Sequence, residues 1–232
     1  LYCADIGLTS LDVSALSKLT QLTCMDNALG TLDLSKNTAL TQINCAADQL
    51  TELKLPAGVQ RLLCENNALT ALDLSGCTAL TYLKCANNQL ATLNLSANTA
   101  LSTLILSNNH LPSLDLSANT ALTAVTLGQQ TITVQATQQN NVFYAPVDGL
   151  SADRIVYQTM EKYENGNFVT TDYALMQNGF TYEYATGSDL AGAMTVEATV
   201  VKNFYQVRFY ADETKQILLA AVAVNSGQTA AA

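Results

Sequence analysis

Five cysteines and two leucines recur at an interval of 21 residues, broken once. Cys3, Cys24, Cys45, Cys64, Cys85, Leu106 and Leu127 follow each other at spacings of 21, 21, 19, 21, 21 and 21 residues. Around each runs L-x-C-x-x-N-x-L, followed by x-x-L-D-L-S. The second copy, Leu19 to Ser35, reads LTQLTCMDNALGTLDLS; the fifth, Leu80 to Ser96, reads LTYLKCANNQLATLNLS. One such unit cannot bury its apolar face alone, whereas stacked units bury a continuous core. The period therefore predicts a solenoid.

Each slot has a physical reading. Leu22 and Cys24 alternate with Gln21, Thr23 and Met25, which predicts a short strand with the first pair pointing inward. Stacking sets these strands side by side in a parallel sheet. A second row reads Asn27, Asp48, Asn67, Asn88, Asn109 and Gln130, with Ile6 in the first copy. Side-chain amides can hydrogen-bond the backbone of the turn after the strand and bridge one turn to the next. Leu29 to Leu34 repeats the L-x-x-L-x-L pattern, so the other side is also predicted to be extended. The third turn is two residues short, with Leu55-Pro56-Ala57-Gly58-Val59 replacing a seven-residue corner; Pro and Gly suit a tighter bend there.

Composition changes along the 232-residue chain. Thirty-one of the 36 leucines lie at or before Leu127, and 13 of the 15 aromatics lie after it. Two different cores are expected. The domains are read as 1–130 for the solenoid, 131–203 for a β-sandwich, and 204–232 for a partial β-repeat module or a terminal hairpin. In the second part Ile132–Val134, Val142–Tyr144, Arg154–Tyr157, Phe168–Thr171 and Met194–Val201 read as strands. Asn165-Gly166 and Asn178-Gly179 each sit between such runs. Asn-Gly is a strong hairpin signal, because type I′ turns need positive φ.

A formal charge of -9 argues against nucleic acid as a partner, which needs a basic footprint. No stretch approaches the roughly 20 apolar residues of a membrane span. Leu1-Tyr2-Cys3 begins in mid-motif, so the chain is expected to be a fragment or a processed product, and the missing leader is silent on export.

The repeat resembles the bacterial 21-residue leucine-rich repeats, whose cysteine variant reads LxxLxCxxNxLxxLDL; the resemblance covers about residues 1–130. Phe180-Thr181-Tyr182-Glu183-Tyr184-Ala185-Thr186-Gly187, followed by Met194-Thr195-Val196, resembles the immunoglobulin-like domain that follows the repeats in internalin-like surface proteins. Tyr205–Asp212 with Gly227-Gln228-Thr229-Ala230 resembles the opening of β-repeat modules in bacterial surface proteins. The implied fold is a leucine-rich-repeat solenoid (parallel β, little or no helix) followed by an antiparallel, immunoglobulin-like β-sandwich. The implied role is non-catalytic binding at the cell surface or outside the cell.

Six cysteines invite a disulfide reading, and adjacent rungs about 4.8 Å apart are close enough for one. In a ladder, however, the side chains run parallel, and Leu106 and Leu127 fill the same slot. A buried row of free thiols is therefore expected, with Cys77 in a corner otherwise held by Asn37, Asn98 and Asn119. No metal or other cofactor is expected, since paired Cys-x-x-Cys spacing is missing and there is one histidine. That residue, His110, lies in a variable turn slot and reads as solvated. Asp12, Asp33, Asp73 and Asp115 suggest a calcium row, but Lys54 and Asn94 interrupt it; a solvated acidic stripe is the simpler reading. No carboxylate pair, triad or phosphate loop points to an enzyme.

The outward residues of the first strand ladder are mostly small and polar. Arg61, Leu63, Glu65, Tyr82, Lys84 and Ile105 form the exception, on neighbouring turns. Arg and Tyr are enriched where interfaces concentrate their binding energy, so these six are the candidate ligand-binding patch for an unidentified protein or glycan. Six strands about 10 Å wide project roughly 300 Å², against about 800 Å² per partner in a standard interface. The expected function is a surface or secreted binding module, with adhesion as its use. The alternatives are a structural spacer and an accessory region of a larger surface enzyme.

Overall fold

The computed structural model describes residues 1–202 in full and the backbone of 204–210 and 218–225. The chain divides into two compact units. One is Leu1–Thr131 with Tyr184–Val196; the other is Ile132–Glu183 with the chain from Glu197 onward.

In the first unit, eight three-residue strands lie in chain order: β1 (Gln21–Thr23), β2 (Thr31–Asp33), β3 (Gln42–Asn44), β4 (Glu52–Lys54), β5 (Arg61–Leu63), β6 (Tyr82–Lys84), β7 (Thr103–Ile105) and β8 (Ala124–Thr126). Six of them form one parallel sheet in the order β1-β3-β5-β6-β7-β8. The register is regular: Gln21, Gln42, Arg61, Tyr82, Thr103 and Ala124 stand in one row. The middle residue of each of the first five points inward, with Leu22, Ile43, Leu62, Leu83 and Leu104 at most 1% exposed. This is the predicted solenoid. Its other side is extended only in part: β2 and β4 pair in parallel, and the corresponding residues of later turns form no strand.

Cys24, Cys45, Cys64 and Cys85 are completely buried, and all six cysteines are free. The thiol slot thus behaves as an apolar slot, since Leu106 is equally buried there. Cys77 is buried in its corner, where its thiol reaches the Pro56 carbonyl at 3.6 Å. In the shortened third turn a Cβ on Gly58 would stand 3.3 Å from the carbonyls of Thr38 and Leu40.

The amide row forms as predicted. Asn67 Nδ2 donates to Cys45 O at 2.9 Å and Cys64 O at 3.0 Å, while its Oδ1 accepts from the N–H groups of Asp48 and Leu50. Asn88, Asn109 and Gln130 repeat the double donation to the carbonyls of their own and the preceding turn. The Asp48 side chain has no N–H to give. It accepts from Asn27 N at 2.9 Å and from the Cys24 thiol at 3.4 Å, with no exposed surface. Cys24 O and Cys45 O consequently receive one amide donor each, from Asn27 and Asn67, where Cys64 O and Cys85 O receive two.

The second part holds β9 (Gln129–Gln139), β10 (Val142–Pro146), β11 (Ile155–Gln158), β12 (Lys162–Glu164), β13 (Asn167–Thr170), the helix α1 (Tyr173–Asn178), β14 (Phe180–Ala185), β15 (Ala193–Lys202), β16 (Phe204–Tyr210) and β17 (Leu218–Asn225). Seven of the strands join one sheet in the order β11-β14-β15-β9-β10-β13-β12, rather than two separately paired sheets. Its core is aromatic: Phe168 has its ring centroid 4.8 Å from Tyr182, 4.9 Å from Phe180 and 4.8 Å from Tyr163. Among the described residues β16 and β17 pair only with each other. The Gly227–Ala230 motif lies outside the described residues.

Asn165-Gly166 is a two-residue hairpin turn between β12 and β13, with φ of 50° and 79° and Glu164 opposite Asn167. Asn178-Gly179 is not a hairpin turn. The segment before it, Tyr173–Asn178, is the helix α1, capped by Asp172, whose Oδ1 accepts from Ala174 N at 2.7 Å. Gly179, at φ 81°, ends it. The same Gly signal serves a helix C-terminus as well as a turn, and here an aspartate caps the helix before it.

Candidate functional site

The parallel register brings the six patch residues together. Arg61 and Tyr82 are direct partners across β5 and β6; Leu63, Lys84 and Ile105 stand in line across β5, β6 and β7. Glu65 follows β5 by two residues. Alternation fixes the outward direction, since Leu62, Cys64, Leu83, Cys85 and Leu104 occupy the core between them.

Two pairings organise the patch. The Arg61 guanidinium carbon sits 3.6 Å from the Tyr82 ring centroid, a stacked cation–π contact of the kind worth about 0.5–1 kcal/mol at exposed sites. Lys84 Nζ and Glu65 Oε1 form an ion pair at 2.9 Å, with the glutamate side chain only 12% exposed. The hydrogen bond to Glu65 raises the Lys84 ammonium above its ordinary value. The second carboxylate oxygen, Glu65 Oε2, is buried without a hydrogen-bond partner. Removing either partner would leave the other charge unpaired, and for the largely buried Glu65 that is costly. Leu63 and Ile105 are half-buried beside the two pairs. The sequence identified the cluster but not the pairings, which depend on rotamers.

The other sequence candidates settle into structural roles. Burial pushes the ladder thiols up, Cys85 to about 12, so they stay protonated and unreactive. His110 Nδ1 lies 2.7 Å from Thr131 O, in contact with backbone rather than with a thiol. In the acidic row each aspartate closes its own turn: Ser14, Ser35, Ser75 and Ser117 donate their backbone N–H to Asp12, Asp33, Asp73 and Asp115 at 2.9–3.0 Å. Asn94 does the same for Ser96, which explains why an amide can replace the carboxylate. The Asp-x-Ser spacing carried that signal. Sequence reading also missed Glu161, whose carboxylate accepts from Thr170 Oγ1, Thr171 Oγ1 and Thr171 N at 2.9–3.0 Å. Among the described residues no group of three or more His, Cys, Asp or Glu could hold a metal ion, and no helix is long and apolar enough to cross a membrane.

No protein-family profile matches the chain, and no curated protein sequence matches it. Among solved structures, it is similar to the functional domain of InlJ from Listeria monocytogenes, which includes a cysteine ladder; identity is 27% and the TM-score 0.64. The match covers 86% of this chain and 47% of that one, so the chain spans about half the length of the structure it resembles. The parallel sheet, the buried free thiols of the repeat and this likeness agree: the first part of the chain is a leucine-rich-repeat solenoid with a cysteine ladder, similar to that of InlJ.

Proposed function

We propose that the chain is a non-catalytic binding module, displayed on a bacterial cell surface or secreted, that takes a protein or glycan ligand on the strand face of its solenoid. Adhesion is the use we infer for it, with the β module as an immunoglobulin-like stalk. The observation that carries the reading is the patch itself. Arg61, Leu63, Glu65, Tyr82, Lys84 and Ile105 gather aromatic, apolar and charged side chains on a face whose remaining outward positions are chiefly Gln, Thr, Asn, Ala and Ser. The likeness to InlJ supports a binding role over catalysis. The alternating burial of Phe180–Ala185 supports a closed aromatic core for the stalk. A strand face of roughly 300 Å² suits a small or weakly bound epitope, and a tight protein partner would need flanking surface as well.

The test is capture from a panel of immobilised extracellular proteins and glycans. Tyr82→Ala with Ile105→Ser should weaken the captured ligand at least tenfold, while Asp73→Asn, off the strand face, should leave it unchanged. Equal affinity in the double variant removes the patch from the site.

A further inference from the structure

We propose that the strand face recognises a single carboxylate on its ligand, gripped by Arg61 with help from Gln42. This rests on the reading that the strand face binds.

Tyr82 covers one face of the Arg61 guanidinium at 3.6 Å. Stacking leaves the N–H edge of the group, which lies in its plane, turned away from the ring. Among the described residues no side chain or carbonyl accepts a hydrogen bond from that edge, and no carboxylate pairs with it. Arg61 is therefore a cation already held in place, with its donors unused. Fixing the side chain beforehand removes part of the ordering cost that a ligand would otherwise meet.

The neighbouring position supplies a second donor. Gln42 stands directly beside Arg61 in the register of β3 and β5, about 4.8 Å away as adjacent strands require. It is exposed, and its amide makes no hydrogen bond among the described residues. Leu63, two residues along β5 on the same face, gives the site an apolar border.

Charge selects the anion. Lys84 is committed to Glu65 at 2.9 Å, so the patch offers one free cation beside a carboxylate, on a chain of formal charge -9. A dianionic phosphate meets one positive group and a repulsive field. A planar monoanionic carboxylate matches the two parallel donors of a guanidinium edge. Such a group comes from a sialylated glycan or from an acidic peptide side chain, and the two sources are separable.

The experiment uses nitrogen-15-labelled full chain titrated with four probes: sialyllactose, lactose, a blocked peptide containing one Glu, and the same peptide with Gln. Sialyllactose or the Glu peptide should shift the amide signals of Gln42, Arg61 and Tyr82 at about millimolar affinity, on the order of 4 kcal/mol, and the neutral counterparts should not. Whichever acid binds names the source. Arg61→Gln should abolish the shifts. Arg61→Lys, which keeps the charge but loses the fork, should weaken binding about tenfold. Tyr82→Ala should weaken it with the charge unchanged. The inference is overturned if neither acid binds, if the neutral probes bind as well, if Arg61→Lys matches the parent, or if inorganic phosphate displaces the acids at lower concentration. Should it fail while Tyr82→Ala with Ile105→Ser still destroys capture of the macromolecular ligand, the strand-face reading stands and only the carboxylate is wrong.

Discussion

Replacing Asp48 by Asn should make the solenoid more stable at neutral pH. Asp48 occupies the amide row fully buried, yet it can only accept. An Asn there gains an N–H group facing Cys24 O and Cys45 O, two interior row carbonyls that have one amide donor where Cys64 O and Cys85 O have two. A hydrogen bond contributes about 0.5–1.5 kcal/mol net, so two give about 1–3 kcal/mol, offset in small part by the long 3.4 Å bond from the Cys24 thiol that the amide nitrogen no longer accepts. The variant also removes a buried carboxylate, whose ionised form is costly there. At about 2–4 °C per kcal/mol for a domain of this size, the solenoid transition should rise by about 2–12 °C. The pH dependence isolates the cause. Burial raises the Asp48 carboxyl above its ordinary range, so the folded chain holds a proton that the unfolded chain has released. Native binding of more protons means that stability falls as pH rises, beginning near the ordinary carboxylate value of about 3.9 and ending above the raised folded value. The gain from Asp48→Asn should therefore be smallest near pH 4 and grow to a plateau towards neutrality. Asp12, Asp33 and Asp73 titrate in the opposite sense, since hydrogen bonds from Ser14, Ser35 and Ser75 lower them, but they are common to both proteins and cancel in the difference. The assay is thermal and denaturant unfolding of parent and variant across pH 4 to 8 by circular dichroism. A variant no more stable than the parent at neutral pH, or a difference that does not vary with pH, refutes the reasoning.

Two further outcomes concern the repeat. Native protein should leave the buried cysteines unreactive towards a thiol reagent, and the denatured chain should release all 6; a shortfall on denaturation means that disulfides formed. Ala47 holds a left-handed φ of 55° in a row where Asp26, Asn66, Asn87 and Asn108 do the same. Such a backbone costs an ordinary residue about 1–2 kcal/mol and Asn less. Ala47→Asn should thus raise stability by about 1 kcal/mol in equilibrium unfolding, and extend the exposed chain in which Asn87 Nδ2 reaches Asn66 Oδ1 at 2.7 Å and Asn108 Nδ2 reaches Asn87 Oδ1 at 2.6 Å.

Sequence reading succeeded where one environment recurs. Each of these slots of the solenoid is sampled seven times, so Leu106 in a cysteine slot identified an apolar position, and Asn67 or Asn88 identified the bridging amide. It failed where a residue acts once. Asp172 starts a helix through one cap where Asn178-Gly179 reads as a hairpin turn, and the stacking of Arg61 on Tyr82 depends on a rotamer that no period encodes. Nor does any pattern announce that Tyr184–Val196 belongs with the solenoid. There Thr186 O accepts from Leu116 N at 2.7 Å, a contact across 70 residues of sequence. The same asymmetry holds for the patch: the register places its members side by side, but their pairing follows from side-chain geometry.

The direction of the links between turns has a mechanical consequence. Strand hydrogen bonds and the amide bridges all join one turn to the next, so they run along the solenoid axis and carry an axial load in series. Such an array extends by shedding turns one after another, each freeing roughly 70 Å of chain for its 21 residues. The junction at Asp48, where no side-chain amide donates across the turns, is the expected place for this to begin. A surface molecule built this way would lengthen under shear in steps, keeping the turns beyond the break, and the patch on them, folded.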